Sequence, residues 1–76
     1  MPRLAPVHWR TLAQIFERDG WQFVRIKGDH RIYTKSKFAR PIVIPMDSSV
    51  EVFIISNNLR TARISRERYF ELLRLL

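Results

Sequence analysis

The feature that most restricts how this chain can fold is a change of hydrophobic period, from helical spacing to strict alternation and back again. Within QFVRIK, Val24 and Ile26 point one way while Phe23, Arg25 and Lys27 point the other. Within HRIYTK, Ile32 stands opposite Arg31 and Tyr33. A period of two is the signature of a strand, and Gly28-Asp29 between the two runs has the turn chemistry of a tight hairpin. The apolar run PIVIP, bracketed by Pro41 and Pro45, suits a short third strand reached through the polar loop SKFAR. On the N-terminal side, Trp9, Leu12, Ala13 and Phe16 recur at helical spacing within residues 6–19, with Pro6 in the first turn and Gly20 as terminator. On the C-terminal side, from about Val52, Ile54 or Ile55, Asn58 or Leu59, and Ala62 mark a second helix. Ser65 caps a third, whose stripe is Tyr69, Phe70, Leu72, Leu73 and Leu76. The predicted order is α-β-β-β-α-α. This is an α+β arrangement in which a three-stranded antiparallel sheet packs its helices on one face and leaves the other open.

Residues 1–76 fit one core, and a chain of this size buries only about 60% of the surface its unfolded form exposes, so the packing must be dense. The 46% of hydrophobic residues, with five Phe, two Trp and two Tyr, can supply it. Trp9, Phe16, Trp21, Phe23 and Phe70 lie in the periodic stripes and are read as core. The absence of cysteine removes disulfides, thiolate metal sites and a cysteine nucleophile together. His8 and His30 are far apart in sequence and belong to no metal-binding pattern, so neither a metal nor another cofactor is expected. No apolar run reaches the roughly 20 residues of a membrane span, and MPRLAPVHWR lacks the apolar core of a signal peptide. The expected location is the cytoplasm.

The net charge of +7 is unevenly placed: residues 21–40 carry +5 and residues 57–76 carry +3, while residues 41–56 are acidic at −2. Two basic stretches of this kind attract a polyanion, whether nucleic acid, an acidic protein or an anionic surface.

The run GWQFVRIKGDHRIY, followed by the Pro-bracketed strand and the ending ISRERYFELL, resembles the HicA family of bacterial toxins. Members of that family read as a helix, a Gly-aromatic pair, and a basic strand leading into Gly-Ser-His, then His or Arg, with an aromatic residue two positions later. Here the segment is Lys27-Gly28-Asp29-His30-Arg31-Ile32-Tyr33. Asp29 replaces the usual serine, and Pro45-Met46-Asp47 replaces a Pro-x-His element. Phe53-Ile54-Ile55 stands where the family shows Gly-Thr-Leu. The resemblance implies a double-stranded RNA-binding-like fold and a metal-independent endoribonuclease acting on mRNA. It also implies a HicB-type antitoxin as partner.

The resemblance makes His30 the catalytic residue, and the chemistry agrees with the residue type. When a ribose 2′-OH attacks its neighbouring phosphate, a group that exchanges protons near neutral pH is needed, with cations to stabilise the developing charge. Arg25, Lys27, Arg31 and Lys35 surround His30 in sequence and are the candidate RNA-binding residues. Asp29 places a carboxylate that repels phosphate beside the imidazole, which makes a general acid easier to envisage than a base. Tyr33 is read as packing in preference to base stacking, and His8 has no assigned role. Arg60, Arg63, Arg66 and Arg68 line the later helices as a solvated face or as phosphate contacts. The alternatives to a ribonuclease are a non-catalytic RNA-binding module of the same fold, or a protein-interaction module whose basic hairpin meets an acidic partner.

Overall fold

The computed structural model describes residues 3–76, in the order α1 (Trp9–Arg18), β1 (Gln22–Lys27), β2 (His30–Thr34), β3 (Ile42–Pro45), α2 (Val52–Ala62) and α3 (Arg66–Arg74). The α-β-β-β-α-α order and the antiparallel sheet β1-β2-β3 match the expected double-stranded RNA-binding-like arrangement. Among the described residues no helix is long and apolar enough to cross a membrane.

Helix α1 begins three residues later than its spacing suggests. Val7 is drawn out of the helix because its carbonyl accepts from the Val50 N–H at 2.7 Å, which ties the N-terminal segment to the loop before α2. Pro6 therefore lies outside the helix, and His8 becomes its cap, with Nδ1 accepting from the Arg10 N–H at 3.1 Å. At the other end Gly20 adopts φ +100°. The Gly20 N–H donates to the Glu17 carbonyl and the Trp21 N–H to the Phe16 carbonyl, both at 3.0 Å. This paired closure needs a residue that enters positive φ freely, and it turns the chain directly into β1.

The register of the sheet decides which side chains share a face. Residues directly opposite one another project from the same side, and the pairs are Phe23 with Tyr33, Arg25 with Ile32, Ile26 with Arg31, and Lys27 with His30. A bulge at Val24, between Phe23 and Arg25, breaks the alternation expected of β1. Phe23 consequently shares a face with Ile26, whereas Arg25 and Lys27 lie on the opposite one. The face of Tyr33, Ile42 and Ile44 packs against the helices, and all three are fully buried. The other face presents Arg25, Lys27, His30, Ile32 and Val43. Ile32 is buried there between Arg25 and Val43, apart from the main core cluster.

Leu12, Ile15 and Phe16 of α1, Ile55 and Leu59 of α2, and Tyr69 and Leu72 of α3 meet the sheet in one core with Trp21 and Val50. Three expected core residues are not in it. Trp9 and Phe70 are only partly buried, and Phe23 is 44% exposed because edge strand β1 has no cover. Leu76 also lies outside the stripe predicted for α3. Asn58, polar yet buried, donates from Nδ2 to the Val43 carbonyl at 3.1 Å and so anchors α2 on β3. Helix α2 closes with Arg63 at φ 58° and the Ile64 N–H bonded to the Leu59 carbonyl, and Ser65 caps α3 by accepting from the Arg68 N–H.

The buried Tyr69 hydroxyl meets no hydrogen-bond partner among the described residues, and burial raises its pKa from the ordinary value of 10.0. The unfolded chain therefore releases this proton first as pH climbs. Its contribution to stability is complete below about pH 10 and is lost as pH rises through the higher folded value. Tyr69→Phe is expected to raise stability by about 1 kcal/mol at neutral pH, because an unsatisfied buried hydroxyl is removed. The variant should also lose less stability at alkaline pH. Urea titrations at pH 7 and above pH 10 check both effects, and a less stable variant at neutral pH would contradict the assignment.

Candidate active site

The β1–β2 turn is built so that His30 is the first residue of its strand. Gly28 takes φ +62°, while Asp29 does not enter the positive region. A positive φ at the first of two loop positions is the requirement of a type II′ hairpin, which glycine meets without strain. The Met46 N–H then donates to the Asp29 carbonyl at 2.8 Å. That bond fastens the turn to the chain leaving β3. His30 is held on its two sides by Lys27 of β1 and Pro45 of β3.

Nδ1 of His30 lies 2.8 Å from Oδ1 of Asp29, an ion-pair contact when the imidazole is protonated. The side chains are 46% and 80% exposed, so the contact contributes little to stability, about 0–1 kcal/mol at most. Its effect is orientation. That approach turns Nδ1 toward the carboxylate and leaves Nε2 as the ring nitrogen open to a ligand. Reading the sequence by charge alone treated Asp29 as an obstacle to phosphate. The geometry also places that carboxylate beside Nδ1, where it can orient the ring.

The four cations that surround His30 in sequence divide into two pairs. Lys27 is its direct cross-strand neighbour, and Arg25 lies two residues further along the same face; both are exposed. Arg31 projects toward the helices. Its guanidinium lies 4.1 Å from the Phe23 ring centre and 5.1 Å from that of Trp9, and its Nε donates to the Tyr33 hydroxyl at 3.1 Å. Lys35 is also on the helix side, where Nζ donates to the Asp19 carbonyl at 2.7 Å and meets its carboxylate at 3.2 Å. These two are engaged in holding β2 against α1. Tyr33, fully buried, is packing as expected.

The arrangement is an imidazole beside a carboxylate on an open sheet face, with two cations on one side of it that form no ion pair among the described residues. Such a group can take a proton from a hydroxyl and return it to a leaving oxygen, while Lys27 and Arg25 offset charge developing on a phosphate. Among the described residues no second histidine stands near it: His8 is the cap of α1.

A family model described as the HicA toxin of bacterial toxin-antitoxin systems matches residues 9–63, from the first residue of α1 to the residue that closes α2. No curated protein matches the chain significantly.

Proposed function

Because the chain belongs to the HicA toxin family of bacterial toxin-antitoxin systems, we propose that it is a metal-independent endoribonuclease that cleaves mRNA with His30 as its single proton-transfer residue. The observation that carries this reading is the 2.8 Å approach of His30 Nδ1 to the Asp29 carboxylate on an exposed, cation-flanked face. Nε2 of His30 accepts the proton of a ribose 2′-OH, whose oxygen attacks the adjacent phosphorus. The bond from phosphorus to the 5′-oxygen breaks, and the proton passes to that leaving oxygen. Lys27 and Arg25 hold the non-bridging oxygens. One imidazole serving both transfers supports an acceleration of about 10² to 10⁴ from proton transfer, which is modest for an enzyme and enough for a toxin.

The antitoxin of this reading is a HicB-type protein that inhibits by covering the face of His30. The unpaired edge of β1 and the exposed Val24 and Val43 offer it apolar contact, and Arg25 and Lys27 offer it charge complementarity.

The test is Asp29→Ser, which restores the residue common in the family and removes the carboxylate. Repulsion relieved between an exposed carboxylate and a phosphate about 7 Å away is about 0.6 kcal/mol in water-like surroundings, worth under threefold. Loss of a group that orients a catalytic histidine costs more, here about tenfold given its exposure. The expected result is a fall in kcat of about tenfold with KM changed by less than threefold. A rise in kcat would mean that Asp29 inhibits and does not position His30.

A further inference from the structure

We propose that a second polyanion site lies at the end of the sheet opposite His30, in a cleft of about 420 Å³ lined by Lys37, Phe38, Arg40, Arg60, Thr61 and Arg63, and that it holds the phosphates of the RNA strand beyond the cleavage point. The inference rests on the ribonuclease reading only for the identity of the polyanion.

The cleft forms where the β2–β3 connection meets the last turn of α2. Four of its lining residues are cations, none is acidic, and none of the four belongs to an ion pair among the described residues. Among the described residues the lysines and arginines with carboxylate partners are Lys35, matched by Asp19, and Arg68, matched by Asp19 and Glu71, and neither lines the cleft. Gathering four like charges around one concavity is unfavourable unless an anion shares it. The C-terminal end of α2 contributes only about half a negative charge to offset them.

The shape and chemistry fit a nucleotide. The volume is in the range of small-ligand sites, three of the four cations are arginines able to grip two phosphate oxygens at once, and the Phe38 ring lies among them. Phe38 is held from below by Trp21 at 5.0 Å between ring centres, and the Arg63 guanidinium stands 5.6 Å from it. Aromatic rings beside a basic track are how proteins hold single-stranded nucleic acid without reading its sequence.

Position favours RNA over an acidic protein segment. Strand β2 runs from His30 to Thr34, so the cleft lies roughly 15 Å from the imidazole at about 3.4 Å per residue. A strand whose reacting phosphate sits at His30 reaches the cleft well within the ~4–16 nucleotides that single-strand grooves track. An antitoxin has only to cover the opposite end of the sheet to block cleavage.

The experiment measures binding of a labelled single-stranded RNA of about 12 nucleotides to the full His30→Ala chain, with and without Arg40→Gln and Arg60→Gln, across a salt series. Both positions are exposed, and circular dichroism confirms that the fold is kept. The pair of changes is expected to weaken binding at least tenfold and to make the log–log salt slope shallower by about 1.4, since each phosphate contact on a single strand contributes about 0.7. Unchanged affinity and slope would overturn the proposal. So would retained RNA affinity with lost binding of an acidic antitoxin, which would make the cleft a protein seat. Cleft-dependent binding, together with a wild-type chain that leaves the same RNA uncut, would leave this site standing and remove the ribonuclease reading instead.

Discussion

His30→Ala is expected to slow RNA cleavage by about 10² to 10⁴-fold while RNA affinity changes little. The imidazole is half exposed, and its one side-chain partner, Asp29, is largely in solvent. Removing it leaves no buried group unpaired and opens no cavity, so stability should move by less than about 0.5 kcal/mol. The phosphate contacts proposed for Arg25 and Lys27 do not depend on it. The loss should therefore fall on kcat, with the dissociation constant for RNA held within a few-fold. Single-turnover cleavage and equilibrium binding, measured on the same preparation, separate the two quantities. Equal cleavage by both proteins after stringent purification would show that His30 does not carry the proton.

Trp21→Ala is expected to cost about 3–5 kcal/mol, a large part of the 5–15 kcal/mol that holds a typical domain together. Trp21 is 2% exposed and packs edge-on against Phe16 at 6.4 Å and against Phe38 at 5.0 Å between ring centres. Its N–H also closes α1 on the Phe16 carbonyl. One residue thus joins the end of the first helix, the start of the sheet and the loop that forms the basic cleft. Its indole N–H meets no partner among the described residues, which lowers the cost slightly but leaves the packing term dominant. Urea denaturation should show a markedly lower midpoint, and a loss below about 1 kcal/mol would contradict the packing described.

The element order and the open sheet face were legible because period carries that information directly. Alternation in residues 30–34 and helical spacing around Leu12 and Leu59 each have one structural solution. The division of the cations was legible too, but only by parity. Arg31 is odd-numbered in a strand where His30 is even, so it projects to the other side, and Lys35, one residue past the strand's end, continues that parity. Grouping basic residues by nearness in sequence hides that. Other features had no local signal. The bulge at Val24 shifts Phe23 away from the face of Arg25, and nothing in QFVRIK marks it. The late start of α1 depends on Val7 pairing with Val50, a contact across more than forty residues. The approach of His30 to Asp29 follows from the turn conformation, which the residue types permit without requiring. The basic cleft joins residues 37–40 to residues 60–63, and only the packing of α2 on β3 brings them together.

The central claim is that His30 drives attack by the RNA's own 2′-OH, and the termini of the cleaved fragments report on it most directly. Purified full-length chain is incubated with single-stranded RNA in the presence of a metal chelator, and the fragment ends are identified by mass. Internal attack predicts a 2′,3′-cyclic phosphate on one fragment and a 5′-hydroxyl on the other, absent with His30→Ala. Fragments ending in 3′-hydroxyl and 5′-phosphate, or RNA left intact whenever metal is chelated, would contradict it.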